Sequence, residues 1–169
     1  MSNYGHVGVN PLAPMPSNPE HQLATLLQNN YDESMTSIPL ADIEYEKWFS
    51  GYGDIAIYFQ EAGHNNVSSS VDHNIRDYDH YVDIHVFVRS MKVDYANSAE
   101  KKAFDIEQWI SKTILQHKED LASGGIQYME HEDTRVVPYF MGDSTDYDNL
   151  IYRKVLSVYM KIRVINNAS

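Results

Sequence analysis

The chain has 169 residues, 43% of them hydrophobic and 12% aromatic, which is typical of one globular domain and excludes a disordered protein. Its formal net charge of −11 disfavours a protein that reads nucleic-acid sequence or grips phosphates. The lack of cysteine excludes disulfides, thiol nucleophiles and cysteine-based zinc sites. Without a signal peptide or a run of about 20 apolar residues, we expect a protein made in a cytoplasm and not placed in a membrane.

The beginning of the chain predicts an extended arm and then a short helix. Residues 1–18 are rich in proline and glycine and poor in large apolar side chains, so they are expected to be extended. Ser17 or Asn18 is a suitable cap for a helix that has Pro19 at its first position. Residues 19–169 are predicted to form a single α+β domain.

Alternating apolar residues predict several strands with one buried face. A weak strand is expected within 38–49 and a better one at 54–60. Two long strands are expected around residues 80–90 and from Tyr152 to Val164. Between the second and third of these, the polar segment from Gly63 to Ser70 predicts a loop.

The clearest helix is expected at residues 98–118. Asn97 is a natural N-cap, and apolar residues recur at steps of three and four, with Phe104 among those assigned to the buried face. Gly124 and Gly125 mark the exit from this helix.

Two short strands, 126–131 and 135–140, are expected next, and an acidic loop at 141–149 precedes the last strand. These elements together predict an α+β fold. In this fold, a mostly antiparallel sheet of four or more strands packs against one main helix and a short N-terminal helix.

Histidines and acids cluster at three places that could hold a metal: Asp72-His73, Asp77 to His80, and Glu130 to Asp133. None has two histidines at helical i, i+4 spacing, which is typical of zinc hydrolases. No nucleophile motif and no phosphate-binding glycine loop is found either. We therefore expect no catalytic residue, no cofactor and no metal, although a small metal-assisted enzyme that uses these clusters remains an alternative.

Basic residues are concentrated in the last strand, directly after the acidic loop. Four of the 13 lysines and arginines lie there, namely Arg153, Lys154, Lys161 and Arg163. Such segregation favours pairing between a basic strand and the acidic loop of a neighbouring copy, with Arg153, Arg163 and Asp146 as interface candidates. The alternative is that these cations protect an exposed strand face from aggregation.

The order of elements resembles that of the tail terminator (tail-completion) proteins of long-tailed bacteriophages. The resemblance rests on the Tyr81 to Val88 strand, the helix that opens near Ser98, the Gly124-Gly125 turn and the closing strand, and it covers roughly residues 19–165. It implies an antiparallel sheet flanked by helices. It also implies a ring of six copies that caps the tail tube and offers a surface to the head-side connector, while DNA passes through its lumen without specific binding.

The resemblance therefore predicts a structural protein of the virion tail or neck, assembled in the host cytoplasm, rather than an enzyme. Its expected partners are further copies of itself, the tail tube protein and the head-side connector proteins. A head-closure or other head–tail connector protein is an alternative in the same class. An acidic adaptor that mimics nucleic acid is an alternative from another class.

Overall fold

The computed structural model describes residues 18–36, 43–45, 55–71, 74–89, 98–137, 139–140 and 150–165. Most of the predicted N-terminal arm (residues 1–17), the Asp72-His73 pair and the acidic loop with Asp146 lie outside these residues.

The described residues form helices, strands and one 3-10 turn that link into a single sheet with helices on one face. Their order along the chain is α1 (Pro19–Asn29), α2 (Glu33–Thr36), β1 (Ile43–Tyr45), β2 (Ile55–Ser69), β3 (Ile75–Arg89), α3 (Ala99–Gln116), the 3-10 turn (Ala122–Gly124), β4 (Ile126–Val136), β5 (Tyr139–Phe140) and β6 (Leu150–Ile165).

The strands lie in the order β1-β2-β3-β6-β4, and β5 also pairs with β6. The β1–β2 pair is parallel, and the other pairs are antiparallel. This architecture confirms the predicted α+β fold, with its mostly antiparallel sheet, one main helix and a short N-terminal helix.

The core lies between the sheet and the helices α1 and α3. Even-numbered residues of β3 and β6, such as Val82 and Leu156, face the helices and are fully buried, as the alternation in the sequence predicts. Trp109 of α3 is 1% exposed, and its Nε1–H donates to the carbonyl of Asn30 at 3.0 Å. That contact joins the main helix to the end of the N-terminal one.

The segment from Gly63 to Ser70 is not a loop, so that prediction was wrong. β2 continues to Ser69 and pairs with β3 as far as Ser69 opposite Arg76. The prediction failed because alternation reveals a strand only where one face is buried. Here the polar side chains on both faces are exposed. Gly63 has a φ of +149°, a conformation that glycine adopts more readily than other residues, next to a bulge in β2.

The two short strands predicted at 126–131 and 135–140 are instead one strand, β4, followed by the two-residue β5. Register shifts occur between Ile126 and Tyr128 and between His131 and Asp133 of β4. Because each extra residue reverses the side to which later side chains point, the strand shows no continuous alternation in the sequence.

The main helix begins one residue later than predicted and buries a slightly different stripe. Ser98 is the N-cap, and its hydroxyl accepts a hydrogen bond from the Lys101 amide at 3.2 Å, whereas Asn97 lies outside the described residues. Ala103 is buried, and the neighbouring Phe104 is 44% exposed, contrary to the prediction. The Phe104 ring lies 5.4 Å from the ammonium of Lys154, so it covers a cation at the margin of the core.

Candidate functional site

The strands β2 and β3 extend beyond the core as a long hairpin. We call residues 61–71 and 74–79 the hairpin arm. From Glu61 to Ser69, every side chain of β2 is exposed, and Gly63 is half-buried. Since neighbouring residues of a strand point to opposite faces, neither face of this stretch is covered. The arm is therefore a surface feature held mainly by backbone pairing.

The outer edge of the arm offers unpaired backbone groups among the described residues. β1 pairs with β2 only at Ile55, Ala56 and Ile57, so no described strand lies beside Glu61–Ser69. The whole of β2 contains no lysine, arginine or proline, the residues that commonly protect an edge strand. Such an edge can accept a strand from another chain.

Apolar side chains collect at the end of the arm. Of the seven large apolar side chains that are exposed among the described residues, four lie here: Val67 (59%), Val71 (102%), Ile75 (39%) and Ile165 (58%). Ile75 and Ile165 are direct partners in the β3–β6 register. Exposed apolar groups that cluster in this way are typical of contact surfaces.

The face of the sheet that points away from the helices carries a row of acids on β3, each with a partner on β6. We call it the second face. Asp77 accepts two hydrogen bonds from the Arg163 guanidinium, at 2.8 and 3.0 Å. Asp79 accepts one from the Tyr159 hydroxyl at 2.6 Å. These pairs are residues directly opposite each other or two places away, as expected for cross-strand neighbours.

The row continues toward the core with Asp83. Its carboxylate accepts from the Ser157 hydroxyl at 2.9 Å and from Arg135 of β4 at 3.0 Å, so it joins three strands. The pKa values of these groups reflect the same contacts. The hydrogen bond and charge of Arg163 lower the pKa of Asp77, and the hydrogen bond to Asp79 together with burial raises the pKa of Tyr159 to about 12.

The candidate Arg163 lies opposite Asp77, in the outer part of the arm, and is 42% exposed, but Asp77 of the same chain already binds it. Arg163 also lines an open depression of about 310 Å³ beside the Gly124-Gly125 turn. Lys154, from the same basic strand, is on the helix-covered face and forms an ion pair with Glu107. Both cations therefore have acidic partners within this chain.

The candidate Arg153 is half-buried on the second face. Its Nη2 donates to Nδ1 of His85 at 2.9 Å, and its guanidinium lies 5.5 Å from the Phe87 ring. The Nε2–H of His85 donates to Gln60 at 3.0 Å. Burial, followed by the charge of Arg153, lowers the pKa of His85 to about 4, so the ring is neutral near pH 7.

A second polar cluster lies on the helix-covered face, where the arm leaves the core. His80 of β3 and Glu20 of α1 form a hydrogen bond of 2.7 Å, and both are about 5% exposed. His64 of β2 is the cross-strand partner of His80, and its Nδ1–H donates to Glu61 at 2.6 Å. The sequence pointed to His80 through the Asp77 to His80 cluster, but it gave no reason to group His80 with Glu61, His64 or Glu20.

The other predicted cluster in the described residues, Glu130 to Asp133, does not converge on a common point. His131 instead bonds to the Ser111 hydroxyl at 2.7 Å and to the Thr134 hydroxyl at 2.8 Å. Glu130, Glu132 and Asp133 are exposed along β4. They form an acidic edge on the opposite side of the sheet from the arm.

Comparison of the chain with protein-family models and with curated protein sequences finds no match. In the part of the chain that the structure describes, no helix has the length and apolar character needed to cross a membrane.

Proposed function

We propose that this protein is a tail terminator of a long-tailed bacteriophage, a structural virion protein whose copies form a ring of six. The ring caps the tail tube and presents a docking surface to the head-side connector proteins. The resemblance of the sequence first suggested this function, and the α+β sheet flanked by helices is the fold that the resemblance implies. The chain acts by assembly, and no residue is assigned a catalytic role.

The observation that carries the proposal is the exposed hairpin arm. A closed ring needs a head-to-tail contact between two different surfaces of the same chain. The edge at Glu61–Ser69 has no neighbouring strand among the described residues, is nearly uncharged and is close to exposed apolar residues, whereas the β4 edge is acidic. These dissimilar edges support a contact in which the arm of one copy packs against the next copy.

The charge of the protein supports the passage of DNA. The chain has a net charge of −11, and Glu130, Glu132 and Asp133 are exposed on one edge of the sheet. An acidic wall repels phosphates, so DNA can move through a lumen without being held. The same property fits a head-closure or other connector ring, which is the alternative in the same class.

The first test is the mass of the protein by light scattering after size exclusion, at several concentrations. Six copies of the 19.4 kDa chain give about 116 kDa, and negative-stain images should show a ring with a central pore. A monomer at every concentration would contradict assembly of a ring by this chain alone.

The arm contact is tested with Val67→Lys, which places a charge on the exposed edge. We expect it to reduce the ring fraction at matched concentration. Gln108→Lys is the control, because it adds the same charge at an exposed position of α3. Equal loss of rings in both variants would argue against the arm as the contact. Mixing rings with tube or connector proteins then distinguishes a terminator from a head-closure protein.

A further inference from the structure

Three side chains at the base of the arm have the composition and spacing of a metal site. Glu61, His64 and His80 each bring one donor atom to a common place, with these atoms within 4.8 Å of one another. We propose that these three residues bind one zinc ion, independently of whether the protein forms a ring. The sequence led us to expect no metal, because it did not show that these three residues meet.

A bulge in β2 is the reason that they meet. Residues three apart in a regular strand point to opposite faces. The register shift between Glu61 and Gly63 adds one residue, so Glu61 lies opposite Val82 and His64 lies opposite His80. Val82 and His80 are both on the helix-covered face, and so Glu61 and His64 share that face too.

The strand pairing also fixes the two histidines relative to each other. His64 and His80 are direct partners, and their rings are 6.1 Å apart between centroids with an angle of 23°. The pairing of β2 with β3 therefore holds two imidazoles from different strands side by side.

Glu20 supplies the outer contact that histidine ligands commonly have. Its carboxylate is bonded to Nε2 of His80 at 2.7 Å, and Glu20 is 5% exposed. A carboxylate in this position orients the ring and makes the other nitrogen a better ligand. Nδ1 is therefore the nitrogen of His80 that remains for the ion.

Two imidazoles and one carboxylate suit zinc, whereas magnesium and calcium prefer oxygen ligands alone. Three protein ligands leave one position for water. The ion would link β2 to β3 and, through Glu20, hold α1 against both strands. It would thus fix the base of the arm relative to the core.

The test is titration calorimetry with zinc chloride on the full chain, free of any histidine tag and first dialysed against a chelator. We expect about one ion per chain, a rise in melting temperature with zinc, and no comparable effect of magnesium or calcium. Glu20→Gln should weaken zinc binding by about 10–100-fold. His64→Ala should weaken it at least as much.

His64 and Glu61 are exposed, with side chains 58% and 49% accessible, so His64→Ala and Glu61→Gln should fold like the natural chain. His117→Ala is the matched control, since it removes a partly exposed histidine that is outside the cluster and should leave zinc binding unchanged. Absence of stoichiometric binding would overturn the proposal. Equal binding by His64→Ala and the natural chain, or equal loss in His117→Ala, would also overturn it.

Discussion

Glu20 and His80, which lie sixty residues apart in the sequence, form a buried hydrogen bond of 2.7 Å between α1 and β3. Both side chains are almost inaccessible to water. Buried polar groups are costly unless they are paired, so each residue needs the other. The bond therefore fixes the start of the N-terminal helix on the sheet, next to the point where the hairpin arm leaves the core.

Truncation of the Glu20 side chain should destabilise the fold more than replacement of its carboxylate by a neutral amide. In Glu20→Ala, Nε2 of the buried His80 loses its partner, so we expect the free energy of unfolding to fall by about 1–3 kcal/mol. Glu20→Gln keeps a hydrogen-bond acceptor and should lose less. Urea unfolding followed by circular dichroism measures both. Equal losses in the two variants would indicate that charge, rather than the hydrogen bond, is what matters.

Trp109 should be among the most sensitive core positions. It is 1% exposed, contacts the edge of the Tyr31 ring at 4.9 Å between centroids and donates to the Asn30 carbonyl. Trp109→Ala should cost about 3–5 kcal/mol of unfolding free energy, through lost burial and a cavity. Trp109→Phe should cost less, because a ring still fills most of the space. A loss below about 1 kcal/mol in the alanine variant would contradict this packing role.

The neutral His85 should make the protein less stable in mild acid. The folded-state pKa is about 4 against an ordinary value of 6.5, so between these values the unfolded chain binds a proton that the folded chain does not. Stability from this group is present above pH 6.5 and is lost as the pH falls toward 4. One pKa unit is about 1.4 kcal/mol, so the loss is at most roughly 3 kcal/mol.

The measurement is urea unfolding at several pH values from 7.5 to 4, with His85→Gln as the comparison. Glutamine removes the titration, so the variant should be less stable at pH 7.5 but show a shallower decline below pH 6.5. The nearby charges Arg153, Asp83 and Arg135 are retained in both proteins. Identical slopes would assign the acid sensitivity to other groups.

The Asp77–Arg163 pair allows a test of whether Arg163 acts within one chain or between copies. Arg163→Glu places two acids side by side on the second face, so it should weaken the pairing of β3 with β6 near the arm. The double variant Asp77→Arg/Arg163→Glu restores an ion pair in which the two charges have exchanged places. Thermal melting should therefore recover in the double variant.

Ring formation by the same variants separates the two roles of Arg163. If Arg163 also contacts a neighbouring copy, the double variant should regain its melting temperature but not its ring fraction. Recovery of both would show that the internal pair alone accounts for the effect of Arg163. Light scattering at matched protein concentration distinguishes these outcomes.

Asp77, the acidic partner in the same ion pair, leads to a further prediction about stability at low pH. Because the pKa of Asp77 is lowered in the folded protein, its stabilising contribution is present above the ordinary value of 3.8 and is lost as the pH falls through the lower, folded value. Asp77→Asn should remove this contribution. The difference in melting temperature between Asp77→Asn and the natural chain should therefore shrink as the pH falls below 3.8. A constant difference at all pH values would contradict the assignment.

Sequence by itself determined the α+β class, the main helix, the short helix after Asn18 and the cores of β3 and β6. Each of these elements has one buried face, so its apolar residues recur with the period of the element. The structure buries the leucines of α1 and confirms the alternation from Val82 to Val88. The predictions were wrong for the elements without a continuous buried face, namely the arm and β4.

Only the tertiary structure decided which polar residues meet. Register places Asp77 beside Arg163 and His64 opposite His80, and a bulge turns Glu61 to the same face as His64. The packing of α1 adds Glu20 from a distant part of the chain. Such contacts depend on strand order and on single-residue shifts in pairing, which leave no periodic signal in the sequence. The composition and hydrophobic pattern therefore specify the fold class, while the arrangement of the charged and polar side chains follows from the folded sheet.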